Sequence, residues 1–170
     1  MDTREYEKIV TKYMDTVYRI AISHTKDAQD ADDVVQQTFV KLLTKHVNFT
    51  DKEHLKRWLI RVCINECNSL FSSFWRKNVN LFDNSSHEEN KIAKSYEPSF
   101  TLQEDSDIYE AVKMLPAKCR IVVYLFYYEG YSTKEIADII KVREATVRTR
   151  LVRARKLLKE VLKEAWDYEE

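Results

Sequence analysis

One glycine, two prolines and three cysteines in 170 residues leave this chain short of three structural materials. Tight β-hairpins draw on glycine for positive-φ positions, so a protein with Gly130 alone is expected to be built from helices, with no sheet of short strands. Cys63, Cys67 and Cys119 are sparse and odd in number, whereas a secreted disulfide framework takes an even, dense set, so a reducing cytoplasm is the expected compartment. No apolar run nears membrane-spanning length, the longest being Ile121 to Tyr128, and Met1-Asp2-Thr3-Arg4-Glu5 lacks a basic-then-apolar leader. Net charge is missing too, with 28 basic and 28 acidic residues. Catalytic and metal-binding patterns are equally scarce. His24, His46, His54 and His87 are scattered, consecutive Asp32 and Asp33 point about 100° apart on a helix, and Cys63 and Cys67 read as core thiols. No catalytic residue, metal or cofactor is expected.

What is present is 44% hydrophobic and 33% charged, enough for packed cores, and the charge is segregated. Between Arg143 and Lys163, eight basic residues face only Glu144 and Glu160, while Asp83 to Asp107 collects acids. Helical spacing organises two blocks. In the first, Ile9, Val10, Tyr13, Met14, Val17 and Ala21 form one stripe. A polar turn over His24 to Asp30 follows, and Val34, Val35, Thr38, Phe39, Leu42 and Leu43 form a second stripe. Thr50 with Glu53 reads as a capping box opening a third helix, with Leu55, Trp58, Leu59 and Val62 inward. In the second block, Ile108, Ala111, Val112 and Leu115 make a short helix stopped near Pro116, and the run from Ile121 to Tyr128 ends at Gly130, where a left-handed cap is needed. The expected architecture is all-α: two small helical domains, 1–77 and 105–170, joined by a flexible polar linker, 78–104.

The most specific signal runs from Ser132 to Arg155. Ser132 and Glu135 cap a short helix, Lys141-Val142-Arg143 makes a turn, and a long basic helix follows, which is the form of a helix-turn-helix. Val147, Leu151, Ala154 and Leu158 share the buried face. Ala145, Thr149, Val152, Arg153 and Lys156 then point away, placed to read a major groove, with Arg148, Arg150 and Arg155 at the flanks, suited to phosphates. On these residues alone, a solvated basic helix, a ligand-responsive regulator and a helical adaptor all stay open.

Leu115-Pro116 with Arg120, Glu129-Gly130-Tyr131-Ser132, Glu135-Ile136-Ala137 and Thr146 to Leu151 with Arg153-Ala154-Arg155 resemble region 4 of the extracytoplasmic-function (ECF) group of bacterial RNA polymerase sigma factors. Asp32 to Leu43 resembles region 2.2 of the same group, and Trp58-Leu59 with Arg61 and Asn65 resembles regions 2.3 and 2.4. Lys141 stands where the family often has Gly, Arg143 where a Ser-like cap is common, and Gln37 where Glu is frequent.

The resemblance implies a DNA-reading initiation subunit, not an enzyme, that works with RNA polymerase core. Asp33, Gln36, Gln37 and Val40 would meet the clamp helices of the largest subunit. Arg57, Arg61, Asn65, Asn68, Ser72 and Trp75 would read the −10 element, and the loop Asn48 to His54 would take a base flipped from the non-template strand. Ala145, Arg148, Thr149, Arg150, Val152, Arg153, Arg155 and Lys156 would meet the −35 element. The acidic linker would thread towards the polymerase active centre, and an anti-sigma factor would be a further partner. A conventional helix-turn-helix regulator acting without polymerase is the alternative.

Overall fold

The computed structural model of the chain describes residues 1–79 and 107–167, with side chains through residue 73 of the first stretch and residue 163 of the second. The segment expected as a linker lies, from residue 80 onward, outside the described residues. The chain divides into two units, Met1–Glu97 and Pro98–Glu170. Among the described residues every regular element is helical.

The first unit is a bundle of three helices, α1 (Thr3–Thr25), α2 (Ala28–Thr44) and α3 (Lys52–Val79). Asp2 opens α1 by accepting the Glu5 N–H at 2.8 Å, and Tyr13, Val17, Ile20 and Ala21 are buried. The connection to α2 is shorter than the expected polar turn. Lys26 takes a left-handed conformation (φ 59°), its N–H donates to the Ile22 carbonyl, and Asp27 caps α2 through the Asp30 N–H. His24 consequently belongs to the last turn of α1, buried against the Phe71 ring at 5.5 Å.

Helix α2 buries Ala31, Val34, Val35, Thr38, Phe39 and Leu42, and the enclosed Thr38 hydroxyl donates to the Val34 carbonyl at 2.8 Å. Leu43 does not join this stripe. It lies about 100° round from Leu42, which carries it past the core edge, and it is 52% exposed.

Helix α3 begins one residue later than Thr50 suggested. The cap is Asp51, whose Oδ1 accepts the His54 N–H at 2.7 Å, while the Thr50 N–H donates to His54 Nδ1. A carboxylate at this place complements both the unpaired amides and the positive helix end, and the bond from the His54 backbone holds its pKa below the ordinary value. The buried stripe is Leu55, Leu59, Ile60, Cys63, Ile64 and Cys67. Trp58 and Val62 flank it half-buried, because the seam against α1 and α2 is centred on Ile60 and Cys63. Cys63 donates to the Val17 carbonyl at 3.5 Å, burial pushes its thiol pKa up, and all three cysteines are free and buried. Two further ties close the bundle, Tyr13 Oη to the Lys52 carbonyl at 3.3 Å and an ion pair between Lys41 and Glu66.

The second unit comprises α4 (Asp107–Lys113), α5 (Ala117–Val123) running into a π turn (Tyr124–Tyr128), α6 (Thr133–Ile140) and α7 (Glu144–Asp167). In α4 the buried residue is Ala111, with Leu115 just beyond it, while Ile108, expected inside, is 59% exposed. Seven residues make under two turns of helix, too few for an inward stripe that reaches Ile108. The corner between α4 and α5 is held by Arg120, buried at 4% exposure, which donates to the carbonyls of Leu115 at 2.6 Å and Lys113 at 3.2 Å. A single guanidinium nitrogen, Nη1, serves both carbonyls where the end of α4 leaves such groups without a helical partner.

Gly130 takes the expected left-handed conformation (φ 75°) just past the π turn, and the Tyr131 N–H returns to the Leu125 carbonyl at 3.0 Å. Both halves of the Ser132–Glu135 capping box form, at 3.2 and 2.8 Å. Ile136, Ala137 and Ile139 of α6 pack with Val147, Leu151 and Ala154 of α7 in the core.

Candidate nucleic-acid interface

The turn between α6 and α7 fixes the outward face of the basic helix. Lys141 sits in the left-handed region (φ 58°, ψ 48°), with its N–H on the Ala137 carbonyl. The Arg143 carbonyl receives the Thr146 N–H at 2.9 Å, and because a guanidinium has no acceptor to offer, α7 starts without a side-chain cap at that position. Glu144 takes over part of the work. Its Oε1 accepts from the Thr133 hydroxyl and from Arg148 Nη2, both at 2.8 Å, tying the first turns of α6 and α7 together. The Thr133 bond, helped by Arg148 and Lys134, holds the Glu144 pKa below its ordinary value.

With Val147, Leu151 and Ala154 inward, Ala145, Thr149, Val152, Arg153 and Lys156 are all exposed, Val152 at 63%. The flanking cations differ from one another in what holds them. Arg148 is engaged by Glu144, and Arg155 Nε donates to Tyr127 Oη at 2.6 Å. Arg150 is half-buried and Arg153 exposed, and neither makes an ion pair or hydrogen bond among the described residues.

In the first unit, α3 presents Arg57, Arg61, Asn65, Asn68 and Ser72 along one stripe. The two arginines are half-buried and the other three residues exposed. Arg57 Nε is bonded to Glu53 Oε1 at 3.0 Å, and the Ser72 hydroxyl to the Asn68 carbonyl at 3.0 Å. Trp75 lies on the same helix, with its side chain outside the described residues. At the start of α3, Phe49 stands edge-on to both Trp58 (5.5 Å) and His54 (5.6 Å), so the 45–51 loop is anchored by an aromatic cluster and Trp58 serves packing.

Helix α2 turns Asp33, Gln36, Gln37, Val40, Leu43 and Thr44 outward. The displaced Leu43 joins Val40, 41% exposed, to give this polar face an apolar end. At its other end carboxylates crowd the helix N-terminus. Partial burial first, then Asp27 and Asp33, raises the Asp30 pKa, and burial with Asp33 raises that of Asp32.

A helix-turn-helix in one unit and, in the other, a helix lined with arginines and amides define a two-part, DNA-reading transcription protein. Residues 9–77 match Sigma-70 region 2 and residues 105–158 match Sigma-70, region 4. The chain is 28% identical over 150 residues to the RNA polymerase sigma factor SigV of Bacillus subtilis, covering 88% of this chain and 86% of that protein. It is 29% identical over 158 residues to the ECF RNA polymerase sigma factor SigM of the same organism, covering 90% and 92%. The sigma factor RpoE of Bartonella quintana, solved with the anti-sigma factor NepR, superposes with a TM-score of 0.72 at 27% identity, over 95% of this chain and 98% of that one. This chain belongs to the ECF group of RNA polymerase sigma factors, alternative initiation subunits that direct the polymerase to promoters. A regulator working without polymerase would account for α6 and α7 but not for the match over residues 9–77.

No helix among the described residues is long and apolar enough to cross a membrane. No group of His, Cys, Asp and Glu among them could hold a metal ion.

Proposed function

We propose that the two units, 1–77 and 105–170, divide promoter recognition between them around a linker at 78–104. Asp33, Gln36, Gln37 and Val40, extended by Leu43, grip the clamp helices of the largest polymerase subunit. Amides and a carboxylate fix register there, while the two aliphatic side chains contribute the area removed from water. Arg57 and Arg61 hold the DNA backbone near the −10 element, Asn65, Asn68 and Ser72 address unpaired bases, and Trp75 offers a stacking surface. Thr149, Val152 and Arg153, with Ala145 and Lys156, read the −35 element, and Arg148, Arg150 and Arg155 meet phosphates. The chain acts in the cytoplasm without catalysis or a cofactor of its own. An anti-sigma factor masks these faces, a reading supported by the RpoE neighbour solved with NepR.

The observation that carries the proposal is the outward set of α7. Every residue proposed to read bases is exposed, while the apolar stripe on the opposite side is at most 2% exposed from Val147 to Ala154. Purified chain and core polymerase, tested together and separately on a promoter library, give run-off transcripts and tight promoter binding only in combination. Tight, sequence-specific binding of a palindrome by the chain alone would refute it.

A further inference from the structure

Arg155 differs from its neighbours in how it is held. Its Nε–H donates to the Tyr127 hydroxyl at 2.6 Å, and its guanidinium carbon lies 5.6 Å from the Tyr127 ring centre and 5.8 Å from that of Phe126. The two rings meet edge to face at 4.9 Å, forming an aromatic shelf under one cation. Tyr127 is 58% exposed, an unusual place for a large aromatic that only packs a core, and it belongs to the π turn that follows α5. Such turns recur at functional sites because an extra residue re-aims the side chains that follow.

A long arginine on a solvated helix normally samples many rotamers, and ordering it on binding costs affinity. Here one edge of the guanidinium is already occupied, and the two Nη groups make no hydrogen bond among the described residues. Bonded through Nε and flanked by rings, the planar group retains a fork of Nη–H donors of the kind that grips a phosphate.

We propose that Tyr127 is a positioning residue for promoter recognition, and that it presents Arg155 to one DNA phosphate beside the −35 element. This rests on the reading of Arg155 as a phosphate contact and goes beyond it by adding a residue outside the helix-turn-helix. The Tyr127 hydroxyl acts through orientation and carries no charge, so it changes affinity without changing how many counterions are released. Arg155 itself changes both.

The test is a double-mutant cycle on the full chain in holoenzyme, measuring promoter affinity against salt, with the melting temperature of each variant as control. Arg155→Ala should weaken every promoter and make the log–log salt slope shallower by roughly 0.9. Tyr127→Phe keeps both rings and should weaken binding about two- to fivefold, less than a whole charge-assisted hydrogen bond because only the orientation of an exposed arginine is lost, with the slope unchanged. In the Arg155→Ala background Tyr127→Phe should have no effect. If Arg155→Ala behaves as stated and Tyr127→Phe does nothing, the positioning role is wrong while the phosphate contact stands. A Tyr127→Phe loss that persists without Arg155 would mean that the hydroxyl meets DNA itself, which also overturns it. If Arg155→Ala lowers the melting temperature but leaves affinity and slope unchanged, the pair is a structural staple and the phosphate reading fails with it.

Discussion

Replacing Arg153 with alanine is the sharpest perturbation of the proposed −35 reader. Arg153 is exposed and makes no ion pair or hydrogen bond among the described residues, so its loss breaks no such bond among them. Stability should therefore stay within about 0.5 kcal/mol, the range of an ordinary surface substitution. Binding is another matter. An arginine that is bidentate to a guanine discriminates by about 1–3 kcal/mol, a five- to 150-fold preference at one base pair. Arg150 provides the contrast. Half-buried at the side of α7, it is assigned to a phosphate, and Arg150→Ala should weaken all promoters alike and reduce the salt slope by roughly one. The assay is transcription by holoenzyme from a library randomised at the −35 element, with salt titrations of binding for both variants. If Arg150→Ala changes the preferred sequence and Arg153→Ala only lowers affinity uniformly, α7 enters the groove on a different face and the two roles must be exchanged.

Lys141→Gly removes a side chain from the left-handed region and should stabilise the chain by about 1 kcal/mol, read as a higher melting temperature with promoter preference unchanged. Glu144 has a depressed pKa, so its contribution to stability is complete above the ordinary carboxylate value of 4.5 and is lost as pH falls through the lower folded value. Glu144→Gln should therefore lower the melting temperature at neutral pH and flatten its acid limb, as followed by circular dichroism. Replacing Asp33 and Gln36 with alanine should weaken the complex with core polymerase in a pull-down while leaving helicity and melting temperature nearly unchanged, because both side chains are exposed.

The sequence carried the helices, the Ser132 cap, the Gly130 stop and the outward residues of α7, because each follows from local chemistry or from a 3.6-residue period. Where it misled, a neighbour or a short element decided. Leu43 looks like the end of a stripe until Leu42 closes the core. Thr50 looks like a cap until Asp51, a better acceptor, takes the place. Trp58 reads as inward, yet the seam runs through Ile60 and Cys63. The engagement of Arg148 by Glu144 has an i,i+4 spacing and could have been read beforehand. The Tyr127–Arg155 pair could not, since 28 residues and a π turn separate its members.

The ties that close the first unit have a consequence for how the chain is made. Cys63 reaches back 46 residues to Val17, Tyr13 forward 39 to Lys52, and Lys41 forward 25 to Glu66. A nascent chain holding only α1 and α2 therefore has an open apolar seam, exposed to misassociation until α3 has left the ribosome. Once Val79 emerges, every partner of that seam is available before any of the second unit has left the ribosome. The half proposed to grip polymerase can thus be complete while the half proposed to read the −35 element is still being translated, and folding proceeds as two successive closures along the chain.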